Sequence, residues 1–130
     1  MHTNKYYIEQ EKTYIMNTYN RYPITLIKGS GQFVWDVEEN KYLDFLSGIS
    51  CTLLGHNHPK VIKAIKEQVD LILHTSNLFY SPPNIELAKC LIENGGLDSL
   101  FFCNSGTEAN ECAIKLARKY QWRLGKEHKN

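Results

Sequence analysis

Hydrophobic and polar positions change rhythm several times along this chain, and each change predicts an element. From Pro59 onward, Val61, Ile62, Ile65, Val69, Ile72 and Leu73 recur at helical spacing, with Lys60, Lys63, Lys66 and Glu67 between them. The pattern predicts an amphipathic helix from Pro59 to about Leu73 whose apolar stripe faces a core. A shorter helix is predicted from about Pro83 to Glu93, with Ile85, Ala88, Leu91 and Ile92 on one face and Asn94-Gly95-Gly96 as its stop. The run Leu100 to Cys103 is short, aromatic and not alternating, as in a strand buried on both faces. It breaks at Asn104. Ala109, Ala113, Leu116, Ala117 and Tyr120 then return at helical spacing, with Glu111 and Lys115 four apart, so a helix is expected to begin near Ser105.

The amino-terminal half is patterned differently. Residues 5–18 mix Tyr7, Ile8, Tyr14, Ile15 and Met16 with Glu, Lys and Gln in a weakly helical way, and Pro23 ends that stretch by restricting Tyr22 and removing a donor. Three short β-prone runs follow, Ile24 to Lys28, Phe33 to Val37 and Tyr42 to Phe45, separated by Gly29-Ser30-Gly31 and Glu38-Glu39-Asn40. They predict an antiparallel meander. Ser47 to Pro59 is a loop with two glycines, of the kind that carries function. No internal repeat or low-complexity segment interrupts the series.

Composition narrows the class. The 130 residues carry 15 basic and 14 acidic side chains and a formal net charge of +1, which argues against a nucleic-acid surface. No apolar run approaches a membrane span, and the polar start M-H-T-N-K-Y-Y does not resemble a signal peptide, so a cytoplasmic location is expected. Cys51, Cys90, Cys103 and Cys112 form no C-x-x-C pair and lie in apolar or helical surroundings, which predicts reduced, buried thiols.

Candidate chemistry sits where the last helix begins. The first turn of a helix has unpaired N–H groups and the positive end of the macrodipole, an arrangement that favours an anion. Gly106 would let a phosphate approach the backbone, and the Thr107 hydroxyl could donate to it. Ser105-x-x-Glu108 is equally a capping box, which accounts for two of these residues without a ligand. Both readings stand on spacing alone. His56 and His58 invite a metal, but no third ligand is near, and Asn57-His58-Pro59 fits the start of a helix, so no metal is expected.

The stretch N-S-G-T-E-A-N-E-C-A-I-K-L-A-R-K-Y, from Asn104 to Tyr120, resembles the phosphate-cup segment of class III pyridoxal-phosphate aminotransferases, the acetylornithine-type members above all. Y-L-D-F-L-S-G-I (Tyr42 to Ile49), L-G-H-N-H-P (Leu54 to Pro59) and S-N-L-F-Y (Ser76 to Tyr80) are similar to further pieces of that family in the same order. The resemblance covers roughly residues 14–121, the first third or so of a usual member.

The resemblance implies an α/β fold: the amino-terminal fragment of a fold-type-I transferase, with small-domain antiparallel strands in residues 1–55 and an incomplete start of the large cofactor-binding domain in 56–130. It implies pyridoxal 5'-phosphate as cofactor, amino acid and 2-oxo acid substrates, and a homodimer with Ser76 to Tyr80 at the subunit interface. Carried over residue by residue, Gly106 and Thr107 hold the phosphate with Ser105 as the turn beside them, and Tyr19 matches a substrate-pocket aromatic. Ile49 falls where ornithine-type members resemble one another in having tyrosine, whereas acetylornithine and 4-aminobutyrate members commonly have isoleucine, which points to an acylated or uncharged substrate tail. The cofactor-linked lysine and the acid that pairs with the pyridine nitrogen match no position here, so no residue is nominated as catalytic and the chain alone is expected to be inactive. The alternatives are another class III transaminase, acting on ornithine or 4-aminobutyrate, and a non-catalytic phosphate-binding α/β module. The G-x-x-x-x-G-K-[ST] and G-x-G-x-x-G patterns that would mark a nucleotide site are absent.

Overall fold

The computed structural model describes residues 2–125. They form two compact units, residues 2–74 and 75–125. In the first unit, helix α1 (Asn4–Tyr14) precedes β1 (Leu26–Ser30), β2 (Phe33–Asp36) and β3 (Lys41–Leu43). A one-turn segment, α2 (Ser47–Ser50), and helix α3 (Pro59–Leu71) follow. The second unit contains α4 (Pro82–Gly95) and α5 (Gly106–Arg123).

The meander forms as the sequence predicts, in the order β1-β2-β3 with both pairings antiparallel. Ser30 pairs with Phe33, so Gly31 and Gln32 make the connection, and Gly31 takes a φ of +55° that glycine adopts without steric cost. A bulge at Ile27 shifts the register between Leu26 and Lys28. On one face the ammonium groups of Lys41 and Lys28 lie over Phe33 and Trp35, at 3.7 Å and 4.8 Å from the ring centroids. The alternating positions Val34 and Asp36 hold the core of the unit: Val34 is buried and Asp36 is only 1% exposed, and Val37, just past the strand, is buried as well.

A buried carboxylate needs partners, and Asp36 has five. Its oxygens accept from the backbone N–H of Glu38 at 3.0 Å and of Asn40 at 2.9 Å, from the Asn40 side chain at 3.0 Å, from the Tyr42 hydroxyl at 2.8 Å and from the Asn4 amide at 3.1 Å. Asn4 in turn accepts from the Thr25 N–H at 2.6 Å, so the first residue of α1 is fixed to the sheet at both ends of its amide. Burial pushes the Asp36 carboxyl up, but the hydrogen bonds from Asn40, Tyr42 and Asn4 outweigh it and hold the group well below the usual carboxylate range.

Helix boundaries follow local chemistry. Thr3 caps α1 by accepting from the Tyr6 N–H at 3.3 Å, and the helix ends at Tyr14, short of the predicted residue 18, because Ile15 is extended. α3 opens with Pro59 at its first position and ends at Leu71, two residues before the predicted Leu73. α4 ends on Gly96 in the left-handed region.

Three expectations are corrected. Leu100 to Cys103 form no strand: the three strands among the described residues pair only with one another, and a backbone run without a neighbour has no ladder to join. Phe101 and Phe102 are accordingly exposed. The stripe on α3 is not core, since only Ile62 is half-buried while Val61, Ile65, Val69 and Ile72 are exposed. The thiols are free but not buried: Cys51, Cys90 and Cys103 are exposed and Cys112 is half-buried.

The sheet's dependence on one ionised carboxylate has a pH signature. Because the Asp36 carboxyl titrates lower in the folded chain than in the unfolded one, its contribution is complete above the unfolded value of about 3.9 and is lost as pH falls below it towards the folded value. Urea midpoints followed by Trp35 fluorescence in a Trp122→Phe background should be flat in this term above about pH 5 and fall progressively below about pH 4. Asp36→Asn should lower the midpoint at neutral pH and flatten that acid slope. Val34→Ala should cost on the order of 2 kcal/mol with the slope unchanged.

Candidate cofactor-binding site

The turn before α5 is built by a reciprocal cap. Ser105 is extended, and its hydroxyl oxygen accepts from the Glu108 N–H at 3.2 Å. The Glu108 carboxylate reaches back to accept from the Asn104 N–H at 2.6 Å, one residue before the usual capping-box donor, and its oxygen lies 3.4 Å from the Ser105 hydroxyl. The Asn104 N–H is the main cause of a Glu108 carboxyl held below its ordinary range, with the Asn104 side chain next. The capping box is therefore formed, and it engages Ser105 and Glu108.

What the cap leaves over is Gly106 and Thr107. The first helical bond is the Ala109 N–H to the Ser105 carbonyl at 3.0 Å, so the Gly106 and Thr107 N–H groups head an 18-residue helix without a partner inside it. A Cβ built on Gly106 meets no heavy atom within 4 Å beyond its own turn, and its φ is an ordinary helical one. Among the described residues, neither packing nor backbone conformation demands glycine here. The N–H pair, the Thr107 hydroxyl and the open Gly106 surface form an arrangement whose chemistry suits a phosphate.

A concavity of about 550 Å³ lies on another face of α5, between Asn77, Phe101 and Phe102 on one side and Glu111, Cys112 and Lys115 on the other. Gly106 and Thr107 do not line it. Its charges are engaged, as Lys115 pairs with Glu111 at 2.5 Å and Lys119 lies 3.9 Å from the Trp122 ring centroid.

The two other nominated residues belong to the first unit. Tyr19 is 72% exposed with the Arg21 guanidinium 5.4 Å from its ring centroid, and Arg21 is salt-bridged to Glu11 of α1. Ile49 is 80% exposed and sits in the left-handed region at φ 56°, ψ 58°, within a run in which Ser47, Gly48 and Ser50 also have positive φ. α2 is thus a left-handed turn, which the sequence signalled only through Gly48. Sequence reasoning also missed the part played by His56: its Nε2 lies 2.7 Å from Asp44 Oδ2. Among the described residues no three His, Cys, Asp or Glu side chains cluster in a way that could hold a metal ion.

The family pattern described as Aminotransferase class-III matches residues 14–130. The chain belongs to the class III aminotransferases. It is 53% identical over 122 residues to the acetylornithine aminotransferase of Methanocaldococcus jannaschii, covering 93% of this chain and 31% of that one. Among solved structures it superposes on acetylornithine aminotransferase from Elizabethkingia anophelis with a TM-score of 0.89 and 39% identity, and on ornithine aminotransferase from Plasmodium yoelii with a TM-score of 0.91 and 35% identity. Those matches cover 97% and 99% of this chain. They cover 33% and 34% of the two structures, so this class III chain spans about a third of the length of its relatives.

The cap and the open glycine separate by mutation. Ser105→Ala should destabilise α5 by about 1 kcal/mol through loss of the cap. Gly106→Ala should stabilise it by about 0.4–1 kcal/mol, since the added methyl meets open space at a permitted φ. Far-UV circular dichroism across a thermal scan reads both.

Proposed function

We propose that this chain is the amino-terminal part of a pyridoxal-phosphate transaminase that moves an amino group from N-acetylornithine to 2-oxoglutarate in arginine biosynthesis. The observation that carries the reading is the α5 turn, where a glycine that no contact among the described residues demands stands between a capped Ser105 and Thr107 in a class III segment. Support for the acetylornithine substrate comes from the relatives and from Ile49, whose apolar side chain suits an acylated tail better than a free ammonium. The second reading, an ornithine-type enzyme, is favoured by the Plasmodium yoelii superposition.

Pyridoxal 5'-phosphate supplies an aldehyde that captures the substrate amine and a ring that accepts the electron pair left when the α-proton departs. In the proposed site the Gly106 and Thr107 N–H groups and the Thr107 hydroxyl hold its phosphate, and Ser105 fixes the turn that presents them. Tyr19 and Ile49 bound the substrate tail. The lysine and the pyridine-pairing acid come from sequence that these 130 residues do not include. Residues 1–55 and 56–130 form the small-domain portion and the start of the large domain, in a cytoplasmic homodimer. Leu78, Phe79 and Tyr80, consecutive and all exposed, supply apolar surface suited to a subunit interface.

The purified 130-residue chain should show no conversion of N-acetylornithine and 2-oxoglutarate in a coupled glutamate assay; turnover would refute the assignment of the missing groups. Grafted in place of the matching segment of the Methanocaldococcus jannaschii enzyme, the segment allows a cofactor titration by absorbance. Thr107→Ala should weaken cofactor binding by about 1.5–3 kcal/mol, the range for a hydrogen bond to a charged acceptor, and Gly106→Val should obstruct it at least as much. Glu108→Gln should have the smallest effect, because glutamine still serves the cap. Unchanged affinity in Gly106→Val with abolished affinity in Glu108→Gln would refute the phosphate assignment.

A further inference from the structure

The left-handed turn at Ser47–Ser50 is costly for its sequence: three of its four residues are not glycine, and Ile49 is β-branched, the type least tolerant of positive φ. Such a conformation persists only where its surroundings over-determine it. Three backbone bonds close the turn, Ser50 N–H to Leu46 O at 3.2 Å, Thr52 N–H to Ser47 O at 3.0 Å, and the Cys51 N–H to the same Ser47 carbonyl. What fixes its start is Asp44. One oxygen of that carboxylate accepts from the Leu46 N–H at 2.8 Å and the Ser47 N–H at 3.0 Å, while the other meets His56 Nε2 at 2.7 Å. His56, first among the causes, and the Ser47 and Leu46 N–H groups hold the Asp44 carboxyl below its ordinary range.

His56 is itself held from the sheet. Its backbone bridges Gly31 in both directions, at 2.9 Å and 2.8 Å, and its ring occupies the space a side chain on Gly29 would fill, with His56 Cγ only 2.6 Å from an ideal Cβ there. The neighbouring Asn57 amide donates to the Gly29 carbonyl at 2.6 Å. A continuous set of contacts therefore runs from the β1–β2 hairpin through His56 and Asp44 to the turn.

We propose that Asp44 and His56 are positioning residues: a latch, seated on Gly29 and Gly31, that holds the Ser47–Ser50 turn left-handed and so fixes where Ile49 stands. The consequence for substrate rests on the function proposed above. The latch touches no substrate; it sets the wall that a substrate tail meets.

Two measurements separate the latch from that function. In the 130-residue chain, amide exchange over residues 45–52 should rise about tenfold or more in His56→Ala and Asp44→Asn, with the β2 amides unchanged. Gly29→Ala, which alters neither latch residue, should reproduce the effect by displacing the ring, and His56→Gln, which restores a donor near Nε2, should largely reverse it. Exchange that is unchanged, or that rises equally in β2, overturns the latch. In the grafted enzyme, His56→Ala should raise KM for N-acetylornithine about tenfold with kcat and cofactor affinity within about threefold. A rise in exchange without a change in KM leaves the latch standing and refutes the role given to Ile49, whereas a KM change without a rise in exchange overturns the latch.

Discussion

One ionised carboxylate carries the first unit. Asp36 lies between the only two buried hydrophobic residues found among those described, Val34 and Val37, and spends its lone pairs on α1, on the β2–β3 turn and on β3. Apolar burial this small supplies little of the stability by itself, so the arrangement depends on a charge whose every hydrogen bond is made inside the protein. If any one donor is removed, the remaining charge stays buried with an unmet acceptor, which costs more than the bond contributed. That asymmetry explains why Asn4, distant in sequence from Tyr42, is held against the same oxygen, Asp36 Oδ2.

A second carboxylate repeats the device in the same unit on a smaller scale. Asp44 gathers two N–H groups and a histidine, and fixes a turn rather than a sheet. Glu108 does so again in the second unit, at the head of α5. In all three cases a carboxylate accepts from backbone N–H groups that no regular ladder uses, and in all three it titrates below its ordinary range: through side-chain donors first at Asp36, through His56 first at Asp44, and through the Asn104 N–H first at Glu108. At α5 the device has a chemical consequence, because it satisfies the Glu108 and Asn104 N–H groups and leaves those of Gly106 and Thr107 facing outward, where the helix dipole favours an anion.

The sequence by itself determined the elements whose cause is local. Short β-prone runs with Gly29 to Gly31 and Glu38 to Asn40 between them produced the meander, Pro59 and Gly96 bounded helices, and Ser105-x-x-Glu108 marked the start of α5, because turns, caps and proline act within a few residues. Residue identities in the α5 turn likewise carried the family resemblance. Tertiary structure alone decided what depends on partners distant in sequence. Leu100 to Cys103 reads as a strand in every local respect, yet among the described residues it has no neighbouring strand to pair with. The apolar stripe of α3 has the right period but no cover within its unit. Asp36 and Asp44 look like ordinary surface acids in the sequence, and became a buried anchor and a latch only when Asn4 and His56 were brought within hydrogen-bonding distance, 32 and 12 residues away. Hydrogen bonds and burial of that kind are set by which surfaces the folded chain brings together, and no short window of sequence contains both halves.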